Sequence, residues 1–412
     1  MTLREAEAYL LDLELFGMRF GLDRMHKLMT VLGMPQRRFA SIHVVGSNGK
    51  SSTTRMIAAI LERHGVATGT YTSPHLRSFA ERIEVGERPL AGAVFAAAVE
   101  RVARAARLVD RTLEDDDRVT QFEALTAAAY HELARSRVEV AVIEAGLGGR
   151  YDATNVIPSK VQVLTGVGLE HTRWLGPTIT DIADEKLAVV RDHSTLVTGE
   201  LHPEAETVAR RVVAERHARL VRAPAEPGVP LRARGAFQRR NFALARAAAE
   251  AFLGELDDGA VERAAREVEV AGRLQAVADR PLTLHDGAHN PSGARALREA
   301  LPEVVGERRP LVGVVAVLED KDAAGMLREL LPACERVVFT RSANPRSLPP
   351  ATLLTLCEQL GGPPAEVVGD PHAAVERARE LAGADGAVLA TGSIYLIADL
   401  AREETAARAS AL

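Results

Sequence analysis

The stretch Ser41-Ile-His-Val-Val-Gly-Ser-Asn-Gly-Lys-Ser-Ser-Thr-Thr-Arg55 carries the strongest structural signal in this chain. It begins with apolar residues typical of a buried strand, turns between Gly46 and Gly49, and continues into a segment with helical apolar spacing. A strand, a glycine turn and a helix form a phosphate-binding loop, because glycine lets backbone N–H groups approach a polyphosphate and the helix dipole favours anions. Lys50 would add a mobile positive charge, and the hydroxyls of residues 51–54 are candidates to face Mg²⁺.

The loop pattern Gly-x-x-Gly-Lys is shorter than the common Gly-x-x-x-x-Gly-Lys, so an ordinary β–α turn with a solvated lysine stays open on the pattern alone. Lysine usage argues against that alternative. Of the 51 basic residues only five are lysine, at positions 27, 50, 160, 186 and 321. A chain that uses arginine for nearly all of its positive charge is expected to keep lysine where an ammonium group is needed. Lys50, Lys186 and Lys321 are therefore candidates for chemical roles.

Length and composition favour a soluble, cytoplasmic protein of two domains. The chain has 412 residues, which is too many for one hydrophobic core, and a net charge of −5, which argues against a general nucleic-acid surface. The cysteines Cys334 and Cys357 are too few for a disulfide framework and suggest a reducing compartment. The longest apolar run, 311–318, is shorter than a membrane helix, and acidic residues near the N-terminus argue against a secretory signal.

Strand-like and helix-like segments alternate along the chain, and the pattern restarts near Gly272. Alternation predicts an α/β fold: a P-loop-type, doubly wound and mostly parallel sheet in residues 1–272, then a smaller Rossmann-like domain in residues 273–412. The predicted strands are 41–45, 65–71, 82–87, 138–144, 161–166, 282–285, 311–317, 337–340 and 387–391. The predicted helices are two within 3–34, then 55–63, 91–110, 120–136, 179–190, 237–254, 258–269, 291–301, 323–331, 350–360, 371–382 and 393–404, with loops at 114–117 and 221–235 and a frayed C-terminal tail.

Several residues with chemical potential follow predicted strands. Glu144 ends a buried strand, where a carboxylate can hold Mg²⁺ against phosphates, although an acid that caps a strand is an alternative. His171 follows the strand 161–166, although a lone histidine in a loop is more often a surface or hydrogen-bonded residue. Lys186 has the pattern of an ordinary exposed helix lysine. Asp286 stands at a strand end before a turn that opens a helix, which is a typical ligand position.

Taken together, these segments resemble folylpolyglutamate synthase and the bifunctional dihydrofolate synthase, which are ATP-dependent ligases of the Mur-ligase superfamily. The resemblance covers residues from about 40 to 395, and the run from Gly146 to Asn155 is specific to the folate branch. The motifs occur in the family's order: Gly46-Ser-Asn-Gly-Lys-Ser-Ser52, Thr72-Ser-Pro-His-Leu76, Phe122-Glu123, Glu144-Ala-Gly-Leu-Gly-Gly-Arg-Tyr-Asp-Ala-Thr-Asn155, Glu170-His171, Glu185-Lys186, Gly272-Arg-Leu-Gln275, Asp286-Gly-Ala-His-Asn-Pro291 and Asp320-Lys-Asp322.

The resemblance implies that ATP phosphorylates a substrate carboxylate and that the amino group of L-glutamate attacks the acyl phosphate, giving an amide, ADP and phosphate. Dihydropteroate, a reduced folate or both would be the acceptor. The nucleotide would lie between the domains, so that domain closure is part of turnover. The resemblance leaves open the polyglutamate chain length, the residues that bind glutamate and the identity of any monovalent cation. A monomer is expected, because no apolar surface segment is left unexplained.

The resemblance also implies site residues by position. The catalytic residues would be Lys50, Lys186 and His171, with Lys186 carbamylated. Mg²⁺ would be held by Ser73, Glu144, His171 and the Lys186 carbamate. ATP would contact Ser47, Asn48, Gly49, Lys50, Ser51, Ser52, Asn241, Arg273, Asp286 and His289. The other substrates would contact Ser73, His75, Thr120, Gln121, Phe122, Glu123, Tyr151, Asp152 and Ala153.

The chain departs from the family pattern at a few positions, and two other functions stay open. Ser47 and Ser51 replace the expected threonine and glycine of the phosphate loop, and Glu170 replaces an aspartate. A Mur-type ligase for another carboxylate acceptor is disfavoured by the folate-type run that follows Glu144. A nucleotide-binding regulator without ligase activity is disfavoured by the intact set of Lys50, Glu144, His171 and Lys186.

Overall fold

The computed structural model describes residues 1–13, 20–114 and 117–402, which form two α/β halves. The strands of the first half are β1 (Ala40–Val45), β2 (Thr68–Tyr71), β3 (Ile83–Val85), β4 (Arg88–Pro89), β5 (Val140–Glu144), β6 (Val161–Leu164), β7 (Thr195–Thr198) and β8 (Arg219–Arg222). They form one sheet in the order β4-β3-β2-β5-β1-β6-β7-β8. Every neighbouring pair is parallel except for the β2-β3-β4 edge.

Helices cover both faces of this sheet. One face packs against the helix after the phosphate loop, and Ile42, Met56 and Phe242 are buried there. The other face buries Tyr71, Phe95 and Tyr130. The helices are α1 (Leu3–Asp12), α2 (Asp23–Val31), α3 (Lys50–Arg63), α4 (Gly92–Asp110), α5 (Gln121–Arg135), α6 (Thr172–Leu175), α7 (Ile179–Leu187), α8 (Pro203–Glu215), α9 (Ala236–Leu253) and α10 (Asp258–Glu267).

The second half repeats the architecture on a smaller scale. Its strands are β9 (Gln275–Asp279), β10 (Leu282–His285), β11 (Leu311–Val315), β12 (Arg336–Phe339), β13 (Ala365–Val367) and β14 (Ala387–Thr391). They lie in the order β13-β12-β11-β14-β10-β9, and only β9 pairs antiparallel to its neighbour. The helices are α11 (Pro291–Val305), α12 (Ala323–Leu330), α13 (Pro350–Gln359), α14 (Pro371–Ala382) and α15 (Ile394–Ala401).

The predicted fold class is confirmed, and the loop between β1 and α3 lies where the sequence places it. The prediction missed β7, α8 and β8 between residues 191 and 222, and also the edge strands β9 and β13. The predicted loop at 221–235 begins inside β8. Residues 115–116 of the predicted acidic loop, and the C-terminal tail from 403 onward, lie outside the described residues.

The parallel strands direct their carboxyl ends toward the region between the two halves, where ligands of α/β sheets bind. In the first half these ends lead into the phosphate loop after β1, the Ser73 turn after β2 and the segment after Glu144 in β5. In the second half Asp286 follows β10 directly. None of the described helices is long and apolar enough to cross a membrane.

Candidate active site

A cleft of about 1130 Å³ lies between the two halves. All of the site residues predicted above line it except His75, which is buried behind Arg82 and accepts a hydrogen bond of 3.1 Å at Nδ1 from Arg82 Nε. His75 therefore positions Arg82, which does line the cleft. The predicted residues in the lining are Ser47, Asn48, Gly49, Lys50, Ser51, Ser52, Ser73, Thr120, Gln121, Phe122, Glu123, Glu144, Tyr151, Asp152, Ala153, His171, Lys186, Asn241, Arg273, Asp286 and His289.

The phosphate loop has little room for side chains at its two glycines. Gly46 and Gly49 have φ values of 148° and 84°, in the region that favours glycine. A Cβ atom at Gly46 would clash with Thr165 Oγ1, and one at Gly49 would lie 2.5 Å from Asn241 Oδ1. The ammonium group of Lys50 curls back over the loop and donates to Gly46 O at 3.0 Å. The loop thus presents backbone N–H groups and one cation to the cleft, as phosphate binding requires.

Glu144 lies beside this loop as a buried carboxylate held at both oxygens. Oε1 accepts a hydrogen bond of 2.9 Å from Ser51 Oγ, and Oε2 accepts one of 3.1 Å from the backbone N–H of Ser73. Burial raises the pKa of Glu144, and the charge of Lys50 acts against that rise. Ser51, a departure from the family pattern, therefore contacts the carboxylate directly.

The donors around Glu144 fit a magnesium ion better than a transition metal. The Glu144 carboxylate and the Ser51 hydroxyl are hard oxygen ligands beside a phosphate loop, and Mg²⁺ needs only one or two such ligands in addition to phosphate and water. Among the described residues, no cluster of three or more His, Cys, Asp or Glu side chains has metal-binding geometry.

Lys186 is buried, so the interpretation of its helix pattern as an exposed lysine is wrong. Its side chain is 2% exposed, and Nζ donates to Glu170 Oε1 at 2.9 Å and to Gly46 O at 3.1 Å. Burial lowers the pKa of Lys186, which the charge of Glu170 opposes. Burial disfavours the Glu170 carboxylate, but the charges of Lys186 and Lys50 outweigh it and lower the pKa of Glu170 to about 2.

His171 lies where the two halves meet. It has a left-handed backbone with φ of 47° at the start of α6, and its Nε2 lies 3.4 Å from Nζ of Lys321 in the second half. Burial, together with the Lys321 charge, lowers the pKa of His171 to about 4. The imidazole is therefore neutral near pH 7 and can act as a hydrogen-bond acceptor or metal ligand.

In the second half, Asp286 is fixed by the backbone around it. Its Oδ2 accepts a hydrogen bond of 2.9 Å from Leu274 N and its Oδ1 one of 2.8 Å from Ala288 N. Burial raises the pKa of Asp286, and Arg273 acts against this rise. His289 lies nearby, and burial together with Lys321 lowers its pKa to about 4.

Neutral hydrogen bonds tie the phosphate loop to the second half. Asn48 Nδ2 donates to Ser292 Oγ at 2.9 Å and to Asn290 Oδ1 at 3.3 Å, and Asn290 Nδ2 donates to Asn48 Oδ1 at 3.0 Å. Asn290 also caps α11, where Oδ1 accepts from Gly293 N at 2.7 Å. These hydrogen bonds therefore hold the start of α11 against the phosphate loop across the cleft.

The predicted acceptor side is built around the start of α5. Thr120 caps this helix in a reciprocal capping box with Glu123. Glu123 is buried and accepts hydrogen bonds of 3.0 and 3.1 Å from Arg24 Nε. Gln121 Nε2 donates to Leu10 O at 2.8 Å. These contacts fix the wall of the cleft, and Arg24 is a positioning residue that its sequence context did not reveal.

Asp152 and Arg82 complete this part of the wall. Asp152 accepts hydrogen bonds from Leu147 N at 2.8 Å and Thr154 N at 3.0 Å, and burial raises its pKa. Arg82 is buried, and the ion pairs of the described residues include no carboxylate partner for it. A buried guanidinium that lines a cleft is suited to an anionic substrate group. No periodicity or motif distinguished Arg82 from the many other arginines.

Family models match both halves of the chain. Residues 44–223 match the Mur ligase middle domain, and residues 272–394 match the Mur ligase glutamate ligase domain. The chain is 34% identical over 382 residues to the dihydrofolate synthase/folylpolyglutamate synthase of Mycobacterium tuberculosis, which covers 83% of this chain and 78% of that relative.

Solved structures of this family match nearly the whole chain. The folylpolyglutamate synthase of Mycobacterium tuberculosis complexed with ADP and AMPPCP matches with a TM-score of 0.89 and 33% identity over 96% of this chain and 98% of that one. E. coli FolC in complex with DHPP and ADP matches with a TM-score of 0.86 and 28% identity over 97% of both chains. The likeness therefore includes both halves and the cleft between them.

Proposed function

The chain belongs to the folylpolyglutamate synthase/dihydrofolate synthase family of Mur ligases and is an ATP-dependent glutamate ligase, and we propose that it acts through an acyl phosphate on dihydropteroate, tetrahydrofolate or both. One observation carries the proposal. The phosphate loop, Glu144, Lys186 and His171 of the first half converge in one cleft with Asp286 and Lys321 of the second.

The proposed reaction has two steps. A carboxylate oxygen of the acceptor attacks the γ-phosphorus of ATP, the bond to the bridging oxygen breaks, and ADP leaves. The amino group of L-glutamate, after loss of a proton, then attacks the acyl carbon, and phosphate leaves with the electrons of the C–O bond. Lys50 and Lys321 offer positive charge to the phosphoryl group in transfer, and positioning by both halves supplies much of the rate.

We propose that Ser73, Glu144 and His171 hold Mg²⁺, with Ser51 Oγ beside the carboxylate. When bound, this ion would neutralise charge on the β and γ phosphates. Asn241, Arg273, Asp286 and His289 would contact the rest of ATP, and the segments 120–123 and 151–153 would contact the acceptor, since all of these line the cleft.

The carbamylated Lys186 remains part of the proposal. A neutral amine is needed to form a carbamate, and burial lowers the pKa of Lys186 in that direction. A carbamate would place a second negative charge beside the carboxylate of Glu170, 2.9 Å from Nζ. Such a pair requires a cation close by, and Lys50, Mg²⁺ or a monovalent cation would meet this requirement.

The proposal includes the setting in which the enzyme works. We place the domain boundary at 272/273, between the two sheets, and propose a cytoplasmic monomer with ATP, L-glutamate and the folate-type acceptor as its partners. Size-exclusion chromatography with light scattering checks the oligomeric state.

The decisive experiment measures ADP formation by the purified chain with Mg·ATP and L-glutamate. Dihydropteroate, tetrahydrofolate and no acceptor are compared, and the products are identified by mass. Acceptor-dependent ADP with a mass increase of one glutamyl unit supports the proposal and assigns the acceptor. If neither acceptor stimulates ADP formation, the remaining ligase hypothesis is a Mur-type enzyme for another carboxylate. ATP binding without any turnover would favour a regulator.

A further inference from the structure

A second cavity, of about 420 Å³, lies in the first half between the segment after α2, the middle of α4 and the last turns of α5. No described residue lines both this cavity and the cleft. Its volume is within the range of sites that bind small organic molecules. Three alanines leave the space open on its apolar side, which is formed by Leu32, Pro35, Ala97, Ala98 and Ala134.

The polar side of the cavity is cationic. Its polar lining residues are Arg38, Arg101, His131, Glu132 and Arg135. The carboxylate of Glu132 is neutralised within the wall, because it accepts hydrogen bonds of 2.7 and 2.8 Å from the guanidinium of Arg135. The three arginines and the one glutamate leave the lining with a net charge of +2.

Arg38 and Arg101 supply this excess charge. Arg38 donates one long hydrogen bond of 3.5 Å to Gly33 O, and within the described part of the chain neither arginine has a carboxylate at ion-pair distance. By contrast Arg104, three residues further along α4, pairs with Glu100. The cavity therefore brings two uncompensated guanidinium groups together with an apolar surface.

His131 lies in the field of these charges. It is partly buried on α5, and burial together with the charges of the three lining arginines lowers its pKa, whereas the charge of Glu132 opposes that change. The arginines that act on it come from α4, from the end of α5 and from the segment after α2. An anion bound among them would offset their charges and raise the pKa of His131 again.

We propose that this cavity, which we call the arginine pocket, binds an organic phosphate whose phosphoryl group meets Arg38 and Arg101 and whose apolar body contacts the alanine-rich side. Guanidinium forks match phosphate oxygens, and a phosphate monoester with a charge of about −1.5 to −2 near pH 7 balances the lining. A dicarboxylate of similar charge would bring one carboxylate to the apolar side, which is unfavourable. The inference goes beyond the proposed function and does not depend on the acceptor.

Calorimetric titration of the full chain with phenyl phosphate tests the pocket, with saturating Mg·AMPPCP present so that the phosphate loop is occupied. We expect saturable binding at one site with a Kd of about 0.1–1 mM and no binding of benzyl alcohol, which lacks the charge. Glutarate, a dicarboxylate, should bind at least about fivefold more weakly. Equal affinity for glutarate would overturn the assignment to a phosphate, and the absence of saturable binding of phenyl phosphate would overturn the pocket.

Variants locate the binding. Arg38→Ala and Arg101→Ala should each raise the Kd for phenyl phosphate about tenfold, and Arg101→Lys, which keeps the charge, should recover part of the loss. Arg107→Ala is the matched control, because Arg107 is exposed on the same helix outside the pocket lining. Unchanged affinity for AMPPCP shows that each variant is folded. Wild-type affinity for phenyl phosphate in both alanine variants would reject the pocket.

The imidazole of His131 gives a readout that depends on where the ligand lies. Carbon–proton NMR spectra of the chain labelled at histidine follow its titration with and without phenyl phosphate, and His131→Gln assigns the signal. We expect the pKa of His131 to rise on binding, because a nearby anion favours the protonated imidazole. An unchanged pKa in the presence of bound ligand would place the ligand elsewhere and overturn the proposal. These measurements use binding alone, so a failure of glutamate ligation would leave them unaffected.

Discussion

Two buried ion pairs in the first half of the molecule join a cation to a glutamate, but the two cations differ in the number of hydrogen bonds that hold them. Arg24 donates from Nε to both oxygens of Glu123 and from NH1 to both oxygens of Asp117, with all four distances between 3.0 and 3.1 Å. Lys186 meets one oxygen of Glu170 at 2.9 Å and shares its ammonium with a backbone carbonyl of the phosphate loop.

The difference separates a structural pair from a chemical one. A guanidinium stays charged, and its planar fork satisfies two carboxylates at once, so Arg24 ties α2 to the start of α5. An ammonium on a flexible stem can lose its proton when it is buried, and burial lowers the pKa of Lys186. The cation with fewer fixed partners is thus the one that can change its chemistry beside the phosphate loop.

The largest effect is expected from breaking the structural pair. Arg24→Met leaves the buried Glu123 without its cation, and the free energy of unfolding should fall by about 3–5 kcal/mol. Urea denaturation measures this change. Arg104→Met is the control, because Arg104 pairs with Glu100 on the exposed surface and should cost less than about 1 kcal/mol. If Arg24→Met lowers the free energy of unfolding by as little as Arg104→Met does, the pair of Arg24 and Glu123 does not stabilise the fold.

Breaking the chemical pair should instead reduce turnover. Lys186→Arg keeps the positive charge but cannot form a carbamate, so we expect ligation to fall about 100-fold, or ~2.7 kcal/mol, with ATP affinity retained within about threefold. Steady-state ADP formation and nucleotide titration measure the two quantities. Lys160→Arg, at an exposed lysine, should be neutral. Near-normal turnover of Lys186→Arg would remove the carbamate from the proposal.

The two pairs also show which features of the site can be predicted from the sequence alone. The β1–loop–α3 unit was predictable because apolar period, glycines and lysine are all local signals, and the structure begins α3 at Lys50. The burial of Lys186 was not, because a lysine on a short helix has the same local pattern whether it faces solvent or a phosphate loop. The family resemblance singled Lys186 out, but only tertiary contacts identify Glu170 as its partner.

The same limit explains what was missed elsewhere. The edge strand β8 contains two arginines in four residues and is only partly buried, so it lacks the apolar run of a central strand. Phe20, Arg82 and Trp174 come from separate segments that the fold brings to one cleft, and no sequence motif links the three. A function carried by one loop can be predicted from the sequence, whereas a site assembled from distant segments can be identified only once the fold is known.

A pH series of unfolding free energies sharpens the contrast between the two glutamates. Glu170 has a folded pKa of about 2, below its unfolded value of ~4.3, so its carboxylate contributes stability above that unfolded value and loses it as pH falls toward 2. Relative to Glu170→Gln, the wild-type chain should therefore lose about 3 kcal/mol of stability between pH 5 and its acid limit, since one pKa unit corresponds to about 1.4 kcal/mol.

Glu123 should give the opposite slope. Burial raises its folded pKa despite Arg24, so its contribution is present at low pH and is lost as pH rises through that folded pKa. Relative to Glu123→Gln, the wild-type chain should gain stability as pH falls, whereas relative to Glu170→Gln it should lose stability. Denaturation of the three proteins at matched pH values measures both slopes. Slopes of the same sign would contradict the assignment of the two pairs to different roles.

The smallest effect is expected where neutral groups, rather than ions, connect the halves. Asn48→Ala removes the hydrogen bonds to Asn290 and Ser292 but leaves the backbone N–H groups of the phosphate loop in place. A loss of about 1 kcal/mol should lower kcat/KM for ATP about fivefold, independently of pH between 6 and 8, because amides do not titrate there. Ser292→Ala, which removes one of these bonds, should cost less. A loss of about 100-fold at Asn48 would instead mean that its side chain contacts the nucleotide, because neutral contacts between the halves are too weak to account for it.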